Sequence, residues 1–327
     1  MNQGTQPTDK VINAGTKFRI IGRSRTSKTA EFFTFASIAA RRIFVCTRGR
    51  FLPLSANSIS TPKMVAATLE TWIDQLQSQG RYSFLRAEAL AGSGLSAEAV
   101  KKALQRLVKR GRLAKAKDYF FVLVPLEYAV AGGPPAAWFI HDLMAAMEQP
   151  YYVGLLTAAG LHGASHQQPQ EFQVLTDRPV RPIDVGRSRI RFYTSRFLPS
   201  AAVTNMKTPT GSIRVSTPET TAVDLVRFCK AAGQLDHVAT VIAELVPKLE
   251  GKRLLAAVRV VQDVPNAQRL GFILDRVRAR QLSEPLRRWI DSQSAKFVRL
   301  RSHLRGSDGS EDRRWHVLVD QPLEIET

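Results

Sequence analysis

The sequence predicts an α+β protein in two parts: a small N-terminal unit of helices closed by a β-hairpin, then a mixed α/β domain with a C-terminal helical subdomain. Three observations carry this expectation. Apolar residues recur at helical spacing in two early stretches separated by a glycine-forced turn. An alternating two-stranded segment follows directly. Beyond Gly132-Gly133-Pro134-Pro135 strand-like and helix-like runs intermix, and 327 residues are enough for two domains.

The composition, 44% hydrophobic and 23% charged, is that of a globular chain with a sizeable core. Its charge is unusual: 47 Lys+Arg against 28 Asp+Glu give a formal net charge of +19. Such a surplus favours a polyanionic partner: DNA, RNA or an anionic membrane. No apolar run approaches the roughly 18 residues of a spanning helix. The longest near the N-terminus, 32–40, stops at Arg41 and Arg42, so no membrane partner is expected. Two distant cysteines, Cys46 and Cys229, make neither a disulfide framework nor a four-cysteine zinc site. A reduced, cytoplasmic protein is expected.

Residues 1–63 carry 11 Lys/Arg against 2 Asp/Glu and no sustained periodicity. Three readings of this basic extension compete: a nucleic-acid-gripping tail, an organellar transit peptide, or sequence upstream of a true start at Met64. The third is the expectation adopted, because patterning begins at Met64.

From there to residue 128 each element has a local cause. Val65, Leu69, Trp72, Ile73 and Leu76 share a helical stripe that Gly80 ends. Residues 82–84 read as a short strand and 85–90 as a short helix, after which Gly92-Ser93-Gly94 forces a turn. Ser96 is placed as N-cap for a helix over 97–110, with Gly111 as its stop. Residues 112–115 and 119–124 read as a hairpin turning at Lys117-Asp118. Helix, strand, helix, turn, helix and hairpin is the order of a winged helix-turn-helix.

The 97–110 helix holds the candidate chemistry. Val100, Leu104, Leu107 and Val108 form its packing stripe; Glu98, Lys101, Lys102, Gln105 and Lys109 face the other way, flanked by Arg106 and Arg110. With Ser96 at its start and Arg112, Lys115 and Lys117 on the hairpin, this surface suits a major groove lined by phosphates. Gln105, able to pair with adenine, is the expected base reader, and the lysines the expected phosphate contacts. The competing reading is a helix face that is merely solvated.

Residues 129–136 read as a flexible linker before a domain at 137–327. Within it, 138–149 and 153–162 are expected as helices, and 171–176, 188–194 and 211–215 as strands. Thr217-Pro218-Glu219 has the N-cap, first-turn proline and acid of a helix start. Further helices are expected at about 235–246, 251–263 and 266–280, with a last strand at 315–319.

At these positions the chain resembles a known family. Tyr151-Tyr152-Val153-Gly154-Leu155-Leu156-Thr157-Ala158-Ala159-Gly160-Leu161-His162-Gly163-Ala164, Pro209-Thr210-Gly211, the run from Val215-Ser216-Thr217-Pro218-Glu219 through Val226, Gln268-Arg269-Leu270-Gly271 and Arg314-Trp315-His316-Val317 are similar to motifs of AbiEi antitoxins of type IV toxin–antitoxin systems. The likeness runs from about 64 to 320. It implies repression of the protein's own operon through inverted repeats in the promoter DNA. It also implies neutralisation, by the C-terminal domain, of a cognate AbiEii nucleotidyltransferase-like toxin, without a stable complex as the rule.

Catalytic signatures are missing from the sequence: no GxxxxGK[ST], GxSxG or HExxH. His162 and His166 lack an adjacent third ligand, so His162 reads as a helix cap or core histidine. Asp224, inside an apolar helix, could be a buried functional acid, but a structural hydrogen bond or its place near the helix N-terminus is the expected reading. Arg187, Arg189 and Arg191 alternate, so on a strand they share one face; that face is a candidate phosphate or partner contact, or simply solvated. A non-enzymatic protein without metal or cofactor is expected. The rival readings are a divergent nuclease-like enzyme with a DNA-binding domain and a plain winged-helix transcription factor without a toxin.

Overall fold

The computed structural model describes residues 68–164, 170–301 and 309–325, together with four strand segments near the N-terminus. Those strands, β1 (Arg19–Ile20), β2 (Thr34–Ala36), β3 (Ile43–Thr47) and β4 (Arg50–Pro53), pair antiparallel in chain order within a unit of their own, residues 1–66. The expectations for the rest of 1–63, for Met64 and Val65, and for His166 fall outside the described residues.

The second unit begins with α1 (Leu69–Ser78), capped by Thr68, whose side chain accepts from the Thr71 amide. β5 (Ser83–Leu85) leads into α2 (Arg86–Ser93), which Gly94 ends in the left-handed conformation. α3 (Ala97–Lys109) starts on the Ser96 cap, and β6 (Leu113–Lys117) and β7 (Phe120–Leu123) close the hairpin. The three strands form an antiparallel sheet in the order β5-β7-β6. Alternation along them divides two cores. Phe84, Leu113, Phe121 and Leu123 pack against α1–α3. Phe120 and Val122, with Leu85, Ala114 and Ala116 beside them, pack instead into the next part of the chain.

That sharing removes the expected linker. Residues 129–136 are a docked strap: the Arg187 amide donates to the Ala131 carbonyl at 2.7 Å, and the Ser188 hydroxyl donates to the Pro134 carbonyl at 3.3 Å. Gly186, at φ +57°, passes so close that a Cβ there would strike the Ala131 carbonyl oxygen. Trp138 lies edge-on between Tyr82 and Tyr128, at 5.0 and 5.3 Å between centroids, and the Ser83 hydroxyl donates to Asp142 at 2.6 Å.

A six-stranded mixed sheet follows, in the order β10-β11-β9-β8-β13-β12. Its members are β8 (Tyr151–Val153), β9 (Glu171–Thr176), β10 (Ile183–Val185), β11 (Ser188–Thr194), β12 (Val203–Thr208) and β13 (Gly211–Ser216). Three of these lie where strands are expected; β8, β10 and β12 do not. The expected 138–149 helix contracts to α4 (Ile140–Ala146) after a 3₁₀ turn. The expected 153–162 helix yields Val153 to β8 and begins at α5 (Leu155–Leu161). The domain ends in α6 (Pro218–Arg227), α7 (Gln234–Leu245), α8 (Gly251–Val261), α9 (Val264–Arg276) and α10 (Arg280–Asp291). These helices share one core with Trp315. β14 (Val298–Arg299), β15 (Ser310–Asp312) and β16 (Val317–Val319) form a small last sheet. Gln268, wholly buried on α9, fastens this tail by donating to the carbonyls of Lys296, Trp315 and His316.

Candidate nucleic-acid interface

At about 100° per residue, Val100, Ala103, Leu104 and Leu107 of α3 turn to one side and are buried. Lys101, Lys102, Gln105, Arg106 and Lys109 occupy the opposite arc and are exposed. None of these four cations forms an ion pair among the described residues. The Ser96 hydroxyl, by contrast, is engaged: it accepts from the Ala99 amide at 3.3 Å as the helix cap.

The structure divides the remaining cations of the set. Arg110 reaches Glu70 at 3.5 Å and Arg112 reaches Asp74 at 2.7 Å, so both lie on the α1 side with their charge balanced. Lys115 pairs with Asp118 at 3.0 Å across the hairpin turn, and this contact holds the Asp118 carboxyl below its ordinary range. Lys101, Gln105 and Lys115 line a groove of about 500 Å³ between α3 and the hairpin, and Arg86 joins them there. Arg86 carries a single signal in the sequence, a basic residue at the first position of α2 directly after β5.

The arginine run is not gathered on one strand face. Arg187 sits with Gly186 in the turn between β10 and β11, because the positive φ of Gly186 ends the strand one residue early. Arg189 is exposed. Arg191 is balanced by Asp184 at 2.9 Å and Glu171 at 3.1 Å, which raise its pKa.

Asp224 is 1% exposed, as the apolar helix around it requires. It accepts from the Tyr152 hydroxyl and from Arg227, both at 2.7 Å. Burial pushes its carboxyl above the ordinary range against the opposing pull of Tyr152 and Arg227, and burial likewise pushes the Tyr152 hydroxyl up. These groups line a mostly apolar cavity of about 320 Å³ between α6 and α8. Their hydrogen bonds to one another make them a structural cluster. His162 is buried at the end of α5, its Nε2 2.7 Å from the Ser216 carbonyl oxygen, so it is a core histidine. Among the described residues no three His, Cys, Asp or Glu side chains come together as a metal site, and no helix is long and apolar enough to cross a membrane.

Fold and site together define an α+β protein in which a helix–hairpin unit, its cationic helix face unpaired among the described residues, shares its core with a mixed-sheet domain capped by helices. Residues 152–276 match the family model of the AbiEi antitoxin C-terminal domain, so this stretch of the chain is an AbiEi-type domain. The match confirms the family resemblance over a narrower span than 64–320. The fold is also similar to the crystal structure of the Rv2827c protein from Mycobacterium tuberculosis, at a TM-score of 0.55 and 13% identity, covering 76% of this chain and 92% of that one. No curated protein matches the sequence.

Proposed function

We propose that the protein is the antitoxin and DNA-binding autorepressor of a type IV toxin–antitoxin operon. In this reading residues 68–124 are a winged helix-turn-helix that places α3 in the major groove of inverted repeats in its own promoter. The AbiEi domain neutralises a cognate AbiEii-type nucleotidyltransferase toxin, in the cytoplasm, without catalysis or cofactor. The observation that carries the proposal is the joining of an AbiEi antitoxin domain to a helix whose exposed face bears Lys101, Lys102, Arg106 and Lys109 without ion-pair partners among the described residues. Within that face, Gln105 reads a base and the lysines hold phosphates, and Lys115 and Arg86 border the same groove.

Two measurements test the two halves. The full chain should shift its own promoter fragment but not a scrambled duplex of equal length. Co-expression with the nucleotidyltransferase encoded beside it should restore growth. Promoter binding without growth rescue would reduce the protein to a plain transcription factor. Cleavage of DNA or RNA in Mg²⁺ or Mn²⁺ that follows the purified protein would overturn the non-enzymatic reading.

A further inference from the structure

Behind the antitoxin domain's sheet, where α6, α7 and α9 converge on β11, a cavity of about 460 Å³ opens to solvent. Four cationic side chains line it, Arg227, Lys230, Arg269 and Arg301, and no carboxylate does. Two of the four are balanced in place. Arg227 is held by Asp224, and Arg301 by Asp236 at 2.6 Å and by Asp320 at 3.4 Å.

The other two form no ion pair among the described residues. Lys230 is exposed and has no partner among the described residues. Arg269 is half-buried, and that burial lowers its pKa. Its Nε donates to the carbonyls of Arg299 and Leu300 and its Nη1 to Asn266 Oδ1, all neutral oxygens. No carboxylate comes within ion-pair distance of it among the described residues; Asp263 opposes the shift from further away, and the Arg269 Nη2 has no hydrogen-bond partner among the described residues. A half-buried guanidinium fixed by neutral acceptors keeps a charge that Asp263 only partly offsets, and an anion in the cavity would complete the balance.

The backbone adds to this field. The N-terminus of α7 opens on the cavity at Gln234 and Leu235, and its N-cap, Gly233, supplies no side-chain acceptor for the first-turn amides. Free amides at a helix start attract an anion. On the other wall stand the rings of Tyr193 and Phe228, 5.9 Å apart and tilted. A cavity of this size falls within the range of small-ligand sites, and it offers an anion site and an aromatic wall side by side.

We propose that this cavity binds a nucleotide, with its phosphate against Lys230, Arg269 and the first turn of α7 and its base against Tyr193 and Phe228. The phosphate belongs either to a free nucleotide or to the 5′ end of an RNA; the cavity is small enough to favour the free nucleotide. The site stands apart from α3, so it holds whether or not α3 binds DNA.

Calorimetric titration of the full chain with AMP, GMP and UMP, the matching nucleosides, inorganic phosphate and a 5′-phosphorylated oligoribonucleotide tests it. At least one nucleoside monophosphate should bind about tenfold or more tightly than its nucleoside and than phosphate alone. The exposed charge reversal Lys230→Glu should weaken that binding by a similar factor, and Tyr193→Leu should narrow the gap between nucleotide and phosphate. Lys101→Ala with Lys102→Ala should leave it unchanged. Nucleosides binding as tightly as nucleotides, phosphate binding as tightly as either, or a silent Lys230→Glu would each overturn the proposal; binding of the oligonucleotide alone, lost in Lys230→Glu, would uphold the phosphate site and assign it to an RNA 5′ end.

Discussion

Replacing Lys101 and Lys102 together with alanine should lower the salt dependence of operator binding by almost two units on a double-logarithmic plot. Both side chains project from the exposed arc of α3, and neither is held by an acid among the described residues. Each phosphate neutralised on duplex DNA contributes about −0.9 to the slope through counterion release, so two lost contacts remove about 1.8. Between about 50 and 200 mM salt the parent's affinity should therefore fall about twelvefold further than the variant's. The structure supplies an internal control on the same unit. Arg110 and Arg112 spend their charge on Glu70 and Asp74, so changing both to alanine should leave the slope nearly as it was. Fluorescence anisotropy over four salt concentrations, with the operator and a scrambled duplex, reads both slopes, and thermal melting by circular dichroism verifies that each variant is folded. An unchanged slope for the lysine pair, or a larger drop for the arginine pair, would refute the assignment of α3 as the DNA-facing helix.

Three further outcomes follow from the packing. A fragment beginning at Gly133 loses Phe120 and Val122 from the shared core, about 1.5–3 kcal/mol for each buried side chain, and uncovers Phe139 and Ile140; it should aggregate, and a soluble fragment melting at the parent's temperature would contradict this. Asp224→Asn keeps an acceptor for Tyr152 but leaves Arg227 unpaired at 13% side-chain exposure, a loss of about 3–5 kcal/mol in urea unfolding; parental stability would dismiss the pair. Asp275 is opposed by burial, yet hydrogen bonds from Ser283, Trp315 and Arg314 hold its carboxyl below the ordinary value. A carboxyl lowered on folding stabilises the protein above its unfolded pKa and loses that contribution as pH falls through the folded one. Thermal melting should thus decline below about pH 4 more steeply in the parent than in Asp275→Asn, and parallel profiles would count against the network.

Elements with local causes were legible in the sequence. α3 and α6 carry their own caps, Ser96 and Thr217, and β9, β11 and β13 fall close to where their runs of residues place them. What escaped depended on partners distant in the chain. β8 is three residues long, buried, and continuous in hydrophobicity with α5, so nothing local separates strand from helix. α10 buries Leu282, Leu286 and Ile290 at helical spacing but contains Pro285, which reads as a breaker. The exposed arc of α3 was legible from periodicity. The ties of Arg110 and Arg112 to α1 were not, because their acids lie about forty positions upstream. The linker expectation failed at Phe120-Phe121-Val122-Leu123: an unbroken apolar run signals a strand covered on both faces, and the second cover is the domain beyond the supposed linker.

The two-faced sheet of β5, β7 and β6 bears on how such a protein diversifies. A DNA reader on a loose tether can be exchanged between lineages as a cassette, since nothing but the tether must fit. Here Phe120 and Val122 belong to the core of the mixed-sheet domain while Phe121 and Leu123 belong to that of the helix–hairpin unit. A transplanted unit would have to match the recipient's sheet side chain by side chain. The solvent-facing positions of α3 can vary without touching either core, but inheritance of the two halves is joint.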